Sequence, residues 1–597
     1  MRKLIYRNRW YDTILIPISC AGVYAVAQIM ILIIMHFIPI LQIFVSTWFI
    51  NVAINSVSNG KGWETLIFPT ALFGIIIIVK NISSIFHNLI TQCVGNRIRT
   101  IFVEYLTVKC ASLPYSSIED SSVWDMIKRV KTKPDEIVQK GFSCTLNLLG
   151  IGIQIVSYLV ILYTQVKLAA LVIMLVAGFV LAVAARGGEN QYSMQHAIAE
   201  DVRRYEYYGN VLTDRNYVNE RHLFGYFRMF QNKWEEFYQK ARNKELKITV
   251  KWLIRMKVVS SSMALITFLI ALVLLIPISK GDMTIGLYIS LIQAAISLVN
   301  IMSWELSDNL NEFIKYKGYI KDFNEFSKLE EDGDVLNLPI DNPMIIEKIE
   351  FRNVSFKYPH TKTEIFNHFD LKIEKGKQYA IVGKNGAGKS TLIKLLTGLY
   401  SEFEGEILLN GIPIQKFSNS EIKAMFSVLF QDFAQYEISM KDNIALGNIR
   451  DMDNGMAIRK VVNTLGLNKL VDSRPNGINT LLGKISEDGI DLSGGEWQRI
   501  AMARAIISPA SVLILDEPTA SMDPMVESSL YEEFRKVSRG RTTLFISHRL
   551  ASTMLADEII VIDEGKIIQQ GSHEKLMEEC SIYRDMYESQ RSWYVNE

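Results

Sequence analysis

Ala380-Ile381-Val382-Gly383-Lys384-Asn385-Gly386-Ala387-Gly388-Lys389-Ser390-Thr391 is the stretch that decides the reading of the C-terminal half. Three apolar residues end a strand, a glycine-rich turn follows, and the helical pattern through Leu392 and Leu396 begins directly after Thr391. In that strand-loop-helix setting the glycines let backbone N–H groups converge on phosphate at a helix N-terminus, where the helix dipole favours negative charge. Lys389 is placed to reach β and γ phosphates, and Ser390 to ligate Mg²⁺. Gly383, Asn385, Gly386, Gly388 and Thr391 complete the candidate nucleotide cradle.

Further along, Val512-Leu513-Ile514-Leu515 reads as a buried strand that delivers Asp516 and Glu517 to its C-terminal edge. Asp516 is the expected holder of the Mg²⁺ shell. Glu517 is the expected general base for water, because phosphoryl transfer depends on a positioned nucleophile and neutralised charge. Short β-rich runs alternate with helical patterns throughout this half, which argues for an α/β P-loop NTPase domain.

Toward the N-terminus the texture is different. No Asp, Glu, Lys or Arg occurs between Thr13 and Gly60, far longer than the roughly 7 to 15 apolar residues of a signal peptide core. A helical span needs about 20 apolar residues, and six stretches qualify. The first lies within Thr13 to Asn51, with Pro17 and Pro39 as candidate kinks, and the second begins near Leu66 and passes Lys80. The third and fourth are Gly141 to Val166 and Leu168 to Ala185; the fifth and sixth are Val258 to Ser279 and Met283 to Trp304.

Lys and Arg crowd the regions from Arg97 to Lys140 and from Arg186 to Lys257, whereas the short connections carry only Lys61, Lys167 and Lys280. Positive residues mark the cytosolic side. Both long loops are therefore expected inside, and a basic N-terminus beside them requires an even number of spans. The acidic run Glu330-Glu331-Asp332-Gly333-Asp334 before Pro339 and Pro343 reads as a linker. The expected organisation is an all-α six-helix transmembrane domain over residues 1–325, a linker over 326–345, and an ATP-binding domain over 346–597.

Bulk properties agree with that division. The chain has 597 residues, more than one hydrophobic core accommodates. It is 49% hydrophobic, which leaves apolar surface for lipid. The 64 basic and 63 acidic residues nearly cancel, so no nucleic-acid partner is expected. The five cysteines are scattered, without the close pairs of a zinc site or a disulfide framework.

Leu492-Ser493-Gly494-Gly495-Glu496, followed by Gln498-Arg499, resembles the signature sequence of ATP-binding cassette (ABC) transporters, and it lies between the two nucleotide motifs as in that family. Other markers follow in the family's order. Tyr358 resembles the aromatic that stacks on adenine, and Gln431 the glutamine that watches Mg²⁺ and contacts the membrane domain. Asp523 in Ser521-Met522-Asp523 is similar to the D-loop aspartate, and His548 to the histidine on the γ-phosphate. Taken singly, each is an ordinary strand aromatic, surface polar group or loop histidine; order and spacing reverse those odds.

The membrane half resembles the exporter type of the family. That resemblance implies a half-transporter that pairs, a homodimer being favoured by intact motifs and a heterodimer being the alternative, with Ser493 and Gly495 of one chain closing on ATP held by Lys389 of the other. It also implies a bacterial cell membrane location with a cytoplasmic ATPase domain, ATP and Mg²⁺ as cofactors, and segments near Ser117 to Met126 and Asn210 to Val218 docking toward the surface around Gln431. The ATPase sequence is similar to exporters of ribosomally made peptides such as lantibiotics, so a peptide is the expected cargo. Lipid or amphipathic drug export, and a membrane-anchored sensor ATPase that does not translocate, are the alternatives. Polar candidates for a cavity inside the spans are Lys80, Asn81, Gln154, Tyr158, Gln293 and Asn300.

Overall fold

The computed structural model describes residues 12–60, 62–165, 198, 200–518, 540–547, 553, 554, 556–579 and 582–595. The chain divides into two compact units, one of Met1–Cys110 with Asp125–Leu329 and the other of Ala111–Trp124 with Glu330–Glu597.

The first unit is helical. Its first apolar stretch forms two helices, Asp12–Ala21 and Val23–Ser58. The break falls at neither expected proline. Pro17 and Pro39 both sit inside helices, and the chain turns at Gly22, where φ +49° combined with ψ −118° favours a residue without a Cβ. The second stretch runs unbroken for 48 residues as Glu64–Ala111, about 72 Å at ~1.5 Å per residue, more than twice the ~30 Å of hydrocarbon. Such a helix must leave the bilayer and continue into water.

The third helix is Pro134–Gln165 and the fifth stretch forms the end of the 53-residue helix Phe227–Ser279. Both start well before their apolar segments, because charged residues with good helix propensity continue the same hydrogen-bond ladder outside lipid. The fourth stretch, Leu168 to Ala185, and the turn before it lie outside the described residues. In the sixth, Ile285–Asn300 passes through a π-turn at Ile301–Glu305 into Leu306–Ser327.

Among the described residues, Val23–Ser58, Glu64–Ala111 and Pro134–Thr164 are long and apolar enough to cross a membrane, while Thr267–Ser279 and Ile285–Asn300 are shorter apolar segments. Tyr158, Leu162, Leu291, Leu298 and Met302 form part of this unit's core. Buried Gln28 donates from Nε2 to Thr91 Oγ1 at 3.2 Å and Ser143 Oγ at 3.0 Å, joining three helices by the polar contacts that stand in for the hydrophobic effect in lipid.

The second unit is built on two sheets. A four-stranded antiparallel sheet has the order β2 (Glu364–Glu374), β1 (Lys348–Lys357), β4 (Glu404–Leu409), β5 (Ile412–Pro413). A six-stranded sheet has the order β10 (Lys566–Gly571), β9 (Glu558–Asp563), β3 (Gln378–Val382), β8 (Thr542–Ile546), β7 (Val512–Asp516), β6 (Phe426–Leu429), parallel except for the β9–β10 hairpin. The central strands are buried on both faces. Alternation divides them between two cores: Ala380, Val382, Leu513 and Leu515 face one, Tyr379, Ile381, Val512 and Ile514 the other.

The segment Ala111–Trp124 belongs to this second unit although it follows the helix Glu64–Ala111. Its short helix Tyr115–Glu119 meets Lys394 and Tyr400, where the resemblance directed attention to Gln431. The other expected docking segment, Asn210 to Val218, belongs to the first unit, where Asp214 caps the turn Arg215–Tyr217 by accepting from Asn216 N.

Candidate functional site

The nucleotide motifs gather at the C-terminal edge of the parallel sheet. β3 ends at Val382 and hands the chain to Gly383, where a Cβ would stand 2.1 Å from the Ile562 carbonyl oxygen, so only glycine fits. Gly388, at φ +102°, starts the helix Lys389–Leu396 with its Cα against the Phe366 ring, 2.9 Å from where a Cβ would be. The buried Lys389 ammonium donates to the Gly383 carbonyl at 2.7 Å and the Lys384 carbonyl at 2.9 Å. Burial pulls its pKa below the usual lysine range, against the charges of Glu517 and Asp516. An arriving phosphate relieves that penalty, because its oxygens replace neutral carbonyls with charged partners.

β7 lies two strands away, across β8. It ends at Asp516, which is only 4% exposed, and burial pushes this carboxyl up to about 6, opposed by a hydrogen bond from Ser390 and assisted by the Glu517 charge. Asp516 Oδ1 has no hydrogen-bond partner among the described residues. A buried carboxylate oxygen without a donor is what a hard divalent cation needs, and the Ser390 hydroxyl beside it supplies a second oxygen. The residues present therefore fit Mg²⁺.

Glu517 follows in the left-handed region at φ +47°, a conformation that costs a non-glycine residue energy and collects at functional positions. Bonds from separate elements hold it there. Its N–H donates to the Ile546 carbonyl at 3.1 Å, its carbonyl accepts from Gln498 Nε2 at 3.3 Å, and its Oε2 accepts from Gln431 Nε2 at 3.0 Å. Gln431 and Glu517, together with Tyr358, Asn385, Gly386, Gly388, Lys389, Ser390 and Thr391, line one cavity of about 780 Å³.

Ser493, Gly494 and Gly495 do not line that cavity. Ser493 instead caps the helix Gly494–Ile507 in a reciprocal box: its Oγ accepts from Glu496 N, while its own N–H donates to Glu496 Oε2 at 2.8 Å. Ser493 and Gly494 are exposed, so this helix presents its positive end to solvent.

Residues 366–520 match the family described as ABC transporter. The subtilin transport ATP-binding protein of Bacillus subtilis is 31% identical over 493 residues, covering 82% of this chain and 79% of that one. The chain belongs to the ABC transporter family. A relative named ATP-dependent lipid A-core flippase, from Alcanivorax borkumensis, is 38% identical over 239 residues, 40% of each chain. A solved structure titled as a bacterial Atm1-family ABC exporter with ATP bound shares the fold, with a TM-score of 0.71 over 94% of this chain and 98% of that one, at 20% identity.

This ABC transporter is thus an ATP hydrolase of exporter-type fold, a multi-pass protein of the bacterial cell membrane with a cytoplasmic ATPase domain. Two of its sequence-predicted site residues, Asp523 and His548, lie outside the described residues. In the sequence, Gln498 reads only as part of the signature pattern, with no role of its own. It is buried on the signature helix and fastens the Glu517 backbone, a contact across 19 positions that the pattern did not announce.

In the membrane unit of the transporter, a cavity of about 600 Å³ is lined by Lys80, Gln154, Tyr158, Gln293 and Asn300, all the expected polar candidates except Asn81. His36, His87, Asn147, Glu305 and Asn309 join them, and these the spans' hydropathy had concealed. His36 Nδ1 lies 3.1 Å from Gln154 Oε1, and Gln154 Nε2 donates to Tyr158 Oη at 3.1 Å.

Proposed function

We propose that two copies of this chain form a homodimeric exporter with two shared ATP sites, and that its cargo is a peptide. One observation carries the pairing. Ser493 and Gly494 of the signature are exposed, and the signature is absent from the cavity around its own chain's Lys389, which supports its being supplied by a second copy. The apolar window of Glu64–Ala111 is only 11% buried, which leaves that helix face for lipid and a partner.

In this reading ATP lies along the helix Lys389–Leu396 with its base against Tyr358. Lys389 exchanges the Gly383 and Lys384 carbonyls for β and γ oxygens, and Asn385, Gly386, Gly388 and Thr391 offer backbone N–H groups to the phosphates. Ser390, Asp516 and Gln431 would hold Mg²⁺, which when bound supplies charge neutralisation on the phosphates. Glu517 takes the proton of the attacking water, and Gln431, already bonded to its carboxylate, fixes the direction from which it does so. Ser493 and Gly495 of the second copy close on the γ-phosphate beside Asp523, and His548 contacts the same group. Loss of that phosphate removes what both copies grip, so the ATPase domains part and the membrane helices follow.

A peptide cargo is supported by two observations. A relative named for subtilin transport is 31% identical over 82% of this chain and one named for nisin transport 28% over 95%, against 26% over 88% for a relative named lipid A-core flippase. The cavity among the spans carries Lys80, His36, Glu305 and several amides, a lining suited to backbone and charged groups.

Cysteines placed by Ser493→Cys and Gly386→Cys test the pairing. ATP should drive a disulfide that doubles the apparent mass, and a product of single-chain mass would refute it. For the cargo, proteoliposomes should accumulate a labelled candidate peptide with ATP and with it accelerate hydrolysis; acceleration by phospholipid alone, without peptide uptake, would exclude a peptide cargo.

A further inference from the structure

The wall assigned to adenine is not built by the ATPase sequence alone. Tyr358 packs edge-on against Tyr400, ring centroids 5.4 Å apart at 80°, and Phe356 meets the two rings at 5.2 and 5.3 Å. Tyr358 Oη and Thr391 Oγ1 share a hydrogen bond of 2.9 Å, which ties the ring to the first turn of the phosphate-loop helix. Next to these rings sits the Lys394 ammonium, 5.3 Å from the Tyr115 centroid, 5.4 Å from Tyr358 and 5.9 Å from Tyr400. A cation at that range is attracted by each ring face.

One carboxylate closes the arrangement. Glu119 Oε1 accepts from Lys394 Nζ at 2.8 Å and from Tyr115 Oη at 2.6 Å, and Oε2 accepts from Tyr400 Oη. Against the upward push of burial, these donors hold the Glu119 carboxyl below its usual range. The lysine and both tyrosines therefore share a single acceptor, and none can shift without loss at the others. Glu119 belongs to the helix Tyr115–Glu119, which follows within four residues of the long helix Glu64–Ala111, a membrane span in its first half.

We infer that Glu119, acting through Lys394 and Tyr400, is a positioning residue for Tyr358, so that affinity for the adenine base is set by the loop that continues the second membrane helix. This rests on the reading of Tyr358 as the adenine wall. The base moiety of ATP, and not its phosphates, is the part whose binding Glu119 governs.

The test uses the purified full-length transporter in liposomes, with ATP hydrolysis as readout and inorganic tripolyphosphate as a competitor that has no base. Glu119→Gln keeps the side-chain size and removes the charge; Lys394→Met removes the cation; Lys394→Arg restores it. The first two should raise KM for ATP about three- to tenfold, with kcat within about twofold and the tripolyphosphate inhibition constant unchanged, and Lys394→Arg should recover most of the loss. A KM that stays at the wild-type value while Tyr358→Ala raises it would overturn the inference and leave the adenine wall standing. Equal weakening of ATP and tripolyphosphate would also overturn it, since the segment would then support the fold rather than the base. If Tyr358→Ala itself leaves KM unchanged, the adenine assignment fails and the inference with it.

Discussion

Replacing Asp516 by asparagine should make the nucleotide-free protein more stable while ending hydrolysis. The carboxyl is 4% exposed, its Oδ1 has no hydrogen-bond partner, and burial lifts its pKa from an ordinary 3.8 to about 6. A shift of about 2 units corresponds to roughly 3 kcal/mol at 1.36 kcal/mol per unit. The sign follows from a folded-state value above the unfolded one: the carboxyl's contribution is most favourable below pH ~4, is lost as pH rises through about 6, and is fully lost at pH 8. Asparagine never ionises and escapes that loss. At pH 8 without nucleotide, Asp516→Asn should raise the unfolding midpoint of the ATPase domain by on the order of 5 °C, and the difference should shrink as pH falls toward 4. Mg²⁺ with ATP should reverse the order, because only the wild type has the carboxylate that the cation stabilises. Differential scanning fluorimetry with and without Mg·ATP reads both effects. A variant that melts at or below the wild-type temperature at pH 8 without nucleotide would show that the ionised carboxylate carries no penalty, and the argument for a cation at Asp516 would lose its basis.

Glu517→Gln should lower kcat by about 10²- to 10⁴-fold with little change in ATP binding; ATPase turnover above a tenth of wild type would remove the general-base role. Gly388→Ala forces a Cβ to 2.9 Å from Phe366 at φ +102°, so ATP binding should fall more than tenfold with about 1–3 kcal/mol of destabilisation, as nucleotide titration and thermal unfolding will report. Gln498→Ala releases the Glu517 carbonyl and should cut kcat severalfold without altering the KM for ATP; a pure KM effect would place Gln498 in binding instead.

The phosphate loop of the candidate ATP site was legible in the sequence because its residues lie a few positions apart. Gly383 through Thr391 form one turn between one strand and one helix, so local spacing already specified the cradle. Glu517 was legible as the residue after an apolar strand ending in aspartate. Its left-handed backbone and the bonds that hold it were not, since Ile546, Gln498 and Gln431 approach from separate elements. Val23–Ser58, Glu64–Ala111 and Pro134–Thr164 were legible as apolar runs, but not their ends. Hydropathy stops at the lipid boundary, whereas the helical ladder of Glu64–Ala111 continues wherever propensity allows.

Sequence alone determined that this chain joins a helical membrane unit to an ATPase domain, because the length of apolar runs and the spacing of glycine, lysine and carboxylates are properties of contiguous residues. Tertiary structure decided the rest. It left the signature out of the cavity around its own Lys389, collected His36, Lys80 and Glu305 from distant spans around one cavity, and brought Glu119 to Lys394 across 275 positions. Burial and electrostatic partnership depend on distance in space, and a linear order carries no record of which surfaces meet.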